Sequence, residues 1–135
     1  MLLEIYKSWV IVLVLHECIH ILFVILFGGK IDSVVIGNFF FIKMKRVAIS
    51  PIIISCSVSF EERKDWNLFK KSLILLMPAI VNTIMGIFIG YDHLFIKVFS
   101  IFIGINSILP IPYLETDGYL MFKELQQLFR EKKLK

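Results

Sequence analysis

Apolar positions along this chain fall into three runs, not the mixed pattern of a water-soluble domain. The first extends from about Trp9 to Phe27 (WVIVLVLHECIHILFVILF), and Gly28-Gly29 stops it. The second covers Ser72 to Ile89, and the third Leu94 to Leu109, with Pro110 and Pro112 ending it. A membrane-spanning helix needs about 20 apolar residues, with a range of ~17–25. The first two runs meet that length. The third is shorter and carries Lys97, whose long stem can carry its charge to an interface. The first run has no strongly basic segment before it and no small-residue cleavage site after it, and it contains His16, Glu17 and His20. It therefore reads as a retained helix and not as a signal peptide.

Between the first two runs, residues 30–71 change character. Ile31–Ile36, Phe39–Met44 and Val47–Ser59 are rich in β-branched and aromatic residues, and Gly37-Asn38 and Lys45-Arg46 separate them. Such stretches predict strands, with Gly37-Asn38 as a candidate hairpin turn. The alternative is an amphipathic loop. The expected fold is an all-α polytopic membrane protein with three transmembrane helices, at about 9–27, 72–89 and 94–109. A small membrane-associated β-hairpin or sheet lies between helices one and two, against the membrane surface. Residues 1–135 form a single domain, ending in a basic tail at 119–135.

Composition strengthens this reading. Hydrophobic residues make up 58% of the 135 and charged residues 19%, with a mean hydropathy of +0.82. A soluble domain of this size cannot bury so much apolar surface in one core. The net charge of +4 comes from basic residues clustered beside the apolar runs, with no basic stripe and interleaved aromatics suited to nucleic acid. Eight Lys/Arg lie in the connector and five in the tail, leaving Lys7 and Lys97 elsewhere. By the positive-inside rule, connector and C-terminus face the cytoplasm, and the N-terminus and the Gly90–His93 turn face outward. The expected location is the cell membrane, with multiple passes through the bilayer. Cys18 and Cys56 form no disulfide framework.

The chemistry is concentrated in His16-Glu17-Cys18-Ile19-His20. Histidines four apart on a helix share a face, so both rings can reach one ion. Glu17 is rotated away from that face and can serve as base toward a water. Ionisable groups inside a spanning helix are costly and mark function by default. The competing structural role is hydrogen bonding between helices. A hydrolytic zinc site takes three protein ligands. Candidates for the third are His93 in the outward turn, and Glu115 and Asp117 after the third run.

Residues Asn106 to Gly118 (NSILPIPYLETDG) resemble the second signature of the site-2 protease family of intramembrane metalloproteases, N-x-x-P-x-x-x-x-D-G. Pro112, Asp117 and Gly118 match it, whereas Asn106 stands farther upstream. Met77-Pro78 to Asn82 is similar to the family's Gly-Pro-x-x-Asn, with Met for Gly and one residue more. The resemblance covers nearly the whole chain. It implies one zinc ion held by His16, His20 and Asp117, with Glu17 activating water. It also implies supporting roles for Asn82, Asn106, Pro110, Pro112 and Gly118, and a surface sheet that presents an extended substrate. The implied activity is hydrolysis of peptide bonds in membrane-tethered or membrane-inserted proteins or peptides, with the lipid bilayer as the surrounding partner. Two other functions compete: a catalytically silent peptide-binding, escort or immunity protein of the same fold, and a zinc carrier. A carrier would need ligands at several depths, and beyond Asn82 and Lys97 the later runs offer few.

Overall fold

The structure, a computed structural model, describes residues 1–39, 42–111 and 116–133. It is mostly helical with one small sheet. Helix α1 spans Leu2–Leu26, followed by strands β1 (Lys30–Ile36), β2 (Ile42–Met44), β3 (Val47–Ile49) and β4 (Cys56–Glu61). Then come α2 (Leu68–Phe88), a single 3-10 turn (Tyr91–His93), α3 (Leu94–Ile108) and α4 (Asp117–Lys133). Among the described residues, only α1 and α2 are long and apolar enough to cross a bilayer. With 15 residues, α3 is about 22 Å long at ~1.5 Å per residue, short of a ~30 Å hydrocarbon core.

Helix α1 begins seven residues before the apolar run. Glu4 favours the positive end of the helix dipole, and Lys7 Nζ lies 3.2 Å from its carboxylate, one turn away. Helix α2 is capped by Asn67, whose side chain accepts from the Lys70 N–H at 3.0 Å. Helices α2 and α3 pack closely because they meet at glycines. A Cβ on Gly86 would strike Ile101, and one on Gly104 would strike Thr83 and the Ala79 carbonyl. Small residues at such crossings are what helices without a hydrophobic drive between them use to associate. Residues 119–135, expected as a tail, largely belong to α4. Lys71 Nζ ties α4 to α2 by ion pairs to Glu124 at 2.9 Å and to Glu62 at 2.7 Å.

The four strands lie in the order β2-β3-β1-β4, with β1 parallel to β3 and antiparallel to β4. Register places Ile42, Met44, Val47, Ile49, Val34, Ile36, Val58 and Cys56 on one face. The tight hairpin is at Lys45-Arg46, between β2 and β3, and not at Gly37-Asn38. Gly37 does turn the chain, at φ 96°, but the neighbouring Asn38 is a clasp. Its Oδ1 accepts from Ser55 N–H at 2.9 Å and Ile54 N–H at 3.2 Å. The sheet lies along the flank of α1 instead of beyond its end. Gly28, at φ 72°, reverses the chain after α1, and the connector runs back until Trp9 Nε1 donates to the Ile54 carbonyl at 3.1 Å. Tyr6 Oη accepts from Ile53 N–H at 2.9 Å. At the opposite end, Val24, Trp66 and Ile74 form a core between α1, α2 and the residues before α2.

Candidate metal centre

The site is assembled from α1, α2 and the start of α4. His16 and His20 stack one turn apart on the buried face of α1, each 5% exposed, with ring centroids 5.1 Å apart. Asp117 comes from 97 residues beyond His20 and opens α4. Thr116 caps that helix, its Oγ1 accepting from Tyr119 N–H at 3.4 Å and from Ile111 N–H at 3.3 Å while donating to the Leu109 carbonyl. Gly118 is buried against the Ile108 carbonyl, with no room for a Cβ. These contacts direct the Asp117 carboxylate at the histidines.

Two of the spacings are close to what a metal would require. Asp117 Oδ2 lies 3.1 Å from His16 Nε2, and Oδ1 lies 3.4 Å from His20 Nε2. With metal–ligand bonds of ~2.0–2.1 Å, a tetrahedral zinc site has ligand–ligand edges of about 3.3–3.4 Å. One ligand atom from each residue falls within 4.8 Å of the others. Donor chemistry also fits. His20 Nδ1 is 2.8 Å from the Ile74 carbonyl, which can only accept, so Nδ1 carries a proton. In the neutral ring, the Nε2 lone pair then faces a carboxylate oxygen, and a cation between the two resolves that opposition.

Glu17 opens onto a cavity of about 440 Å³ shared with the three candidate ligands. Its far wall includes Cys56, Ser57 and Val58 of β4, the edge strand nearest α1 among the described residues. Burial, reinforced by the nearby Glu17 carboxylate, pushes the Cys56 thiol up to about 11. Sequence reasoning placed no role on Cys56, Ser107 or Thr116, although all three line the cavity. Thr116 had a local signal, a cap residue just before a helix start.

Comparison with family models, curated proteins and solved structures gives no match to this chain. The assignment of residues rests on geometry.

The structure brings His16, Glu17, His20, Asp117, Gly118 and Asn82 together. Asn82 is fully buried, with Nδ2 3.1 Å from His16 Nδ1. Asn106 is not part of the group: its amide donates to the Phe102 carbonyl at 2.8 Å, one turn back on α3. Pro110 is exposed just beyond the end of α3. Pro112 and Glu115 lie outside the described residues. His93, in the turn before α3, is exposed and makes no part of the cluster.

Proposed function

We propose that the chain is an intramembrane zinc metalloprotease resembling the site-2 protease family, cleaving peptide bonds in membrane-tethered or membrane-inserted substrates. The observation that carries this reading is the convergence of His16, His20 and Asp117 beside Glu17, in a cavity that an extended chain can enter. Outward-facing apolar side chains on α1, α2 and α3 support a bilayer setting; examples are Leu22, Leu26, Ile87, Phe88 and Phe102. In this reading α3 completes a third pass with the residues around it, and the C-terminus and the basic ends of the connector face the cytoplasm, while residues 51–54 of the connector run back along α1 to Trp9 and Tyr6.

His16, His20 and Asp117 would hold the zinc ion. When bound, zinc supplies Lewis acidity at the reacting carbonyl and water. Glu17 takes the proton of the attacking water and delivers it to the leaving amine. The helices exclude bulk solvent. A spanning helix resists hydrolysis because its backbone is internally bonded, so the substrate must open locally. The free edge of β4 can receive the opened segment by strand addition, holding it extended along the cavity.

Glu17→Gln tests the reading. It leaves the three ligands in place and preserves size, so zinc content stays at the parent level. Turnover of a membrane-tethered peptide in liposomes falls ~10²–10⁴-fold, the usual contribution of general-base assistance. Cleavage at the parent rate would overturn the mechanism in favour of a silent peptide-binding protein.

A further inference from the structure

Helix α2 meets both histidines at Nδ1, and two of its residues one turn apart bear on those contacts. The first is Pro78, inside the helix. A proline has no N–H, so the Ile74 carbonyl four residues earlier receives no backbone hydrogen bond from it. That carbonyl is the one that His20 Nδ1–H reaches, at 2.8 Å. The second is Asn82, whose amide Nδ2 lies 3.1 Å from His16 Nδ1 while its buried Oδ1 has no partner among the described residues. His20 pairs near residue 74 and His16 near residue 82, so α1 and α2 run antiparallel here.

A histidine that ligates metal through Nε2 carries its proton on Nδ1 and needs an acceptor there. His20 has one, released by Pro78. For His16 the only candidate the amide offers is Asn82 Oδ1, which half a turn about its terminal torsion brings onto Nδ1. The same half-turn gives that oxygen a partner and moves the NH2 group to the place it leaves.

We propose that Pro78 and Asn82 are positioning residues of the metal centre: Pro78 frees the Ile74 carbonyl to hold His20, and Asn82 presents Oδ1 to hold His16, each in the tautomer that ligates through Nε2. The inference deepens the zinc reading and rests on it.

The experiment uses the full chain in detergent micelles, with zinc alone as probe. Long-range nitrogen–proton NMR of the zinc-loaded parent should find both rings protonated on Nδ1 and bare on Nε2. Pro78→Ala returns an N–H to the Ile74 carbonyl, so zinc affinity by chelator competition falls roughly 10–100-fold, the usual cost of losing an outer partner. The melting temperature of the zinc-free variant rises, because an interior helix proline is removed. A residue that merely packs would move both readouts the same way. Asn82→Leu lowers affinity by a similar factor, and Asn82→Asp, which keeps an acceptor, retains it within a few-fold. Parent-like affinity in both Pro78→Ala and Asn82→Leu, or metal on Nδ1 of either ring in the parent, overturns the proposal while leaving the zinc site standing. A folded parent that binds no zinc overturns both. The parent spectrum decides even where a variant fails to fold.

Discussion

The two sides of the candidate metal centre are held by different physics. His16 and His20 ride on one helix, so their separation is set by the helix repeat and survives any motion of α1 as a body. Asp117 faces them from the first turn of a different helix, aimed by a threonine cap, a glycine seated on the Ile108 carbonyl and the Lys71 ion pairs farther along α4. One half of the centre is local and stiff; the other is assembled from tertiary contacts and can be loosened in steps. Substitutions on the Asp117 side should therefore grade metal affinity without disturbing the histidine pair.

The largest step removes the ligand. Asp117→Ala should lower the zinc content of purified protein about as far as His20→Ala does, since each deletes one of three donors. Elemental analysis of the two variants against the parent is the check. A zinc-replete Asp117→Ala protein would mean that the third ligand lies elsewhere, with Glu115 the first residue to try.

The contrast also governs what could be read without coordinates. His16, Glu17 and His20 were legible because their relation depends on helical spacing alone. Asp117 was reached through a resemblance, and no periodicity connects it to His20. The strands were legible from β-branched runs, but their order was not. The parallel pairing of β1 with β3 joins residues such as Val34 and Val47, and Gly37-Asn38 looked like a hairpin turn while acting as a clasp. Helix α4 hid behind its charge: Lys123, Glu124 and Arg130 make it read as a basic tail, although Met121 and Leu125 recur at helical spacing. Pro78 entered only as part of the resemblance to Gly-Pro-x-x-Asn. Its meaning depends on which carbonyl it leaves free and which ring finds it.

A second prediction sharpens the view of the cavity wall that faces Glu17. Cys56 on β4 is half-buried, and burial first and the Glu17 carboxylate second raise its thiol from 9.0 to about 11. A raised pKa keeps the thiol protonated, so its thiolate fraction at pH 8 is about a hundredfold below that of an ordinary cysteine. After chelation, maleimide should label Cys56 correspondingly slowly, with the inflection of rate against pH near 11. Folding linkage has the same origin: between pH 9 and 11 the unfolded chain gives up a proton that the folded chain keeps, so stability falls as pH rises through that window. Cys18→Ser background protein gives the clean measurement. An inflection near 9 would show that this wall is open to solvent.

Gly118→Ala comes next. Helix propensity alone favours alanine by about 0.8–1.0 kcal/mol. The added Cβ, however, meets the Ile108 carbonyl carbon at 2.5 Å and its oxygen closer still. Neither atom is the movable end of a side chain, so the first turn of α4 must shift. Overpacking of this kind costs ~1–3 kcal/mol, so the variant should be less stable despite its better propensity. Chelator competition should show weaker zinc binding too, because Asp117 moves with that turn. A stabilised variant with parent affinity would mean that α4 has slack at its start.

The smallest effect is expected at Lys71 of α2, whose partner Glu124 lies seven residues along α4 from the ligand. Its ammonium sits between Glu62 and Glu124, at 2.7 and 2.9 Å, with its side chain only 21% exposed. Lys71→Met keeps the apolar stem that covers the helix and removes the charge, leaving two carboxylates without their shared cation. Partly exposed pairs of this type contribute up to ~1 kcal/mol, and a converging pair of acids puts this one toward the upper end. The variant should lose about that much stability and bind zinc a few-fold more weakly, since α4 is tethered at Glu124 on one side and at Thr116 on the other. Because the interaction is electrostatic and near the surface, raising ionic strength should narrow the difference between variant and parent. Denaturation and chelator competition at two salt concentrations measure both quantities. A variant that loses stability but binds zinc as the parent does would show that Thr116 and Gly118 alone aim Asp117, and that the ion pairs only dock the far half of α4.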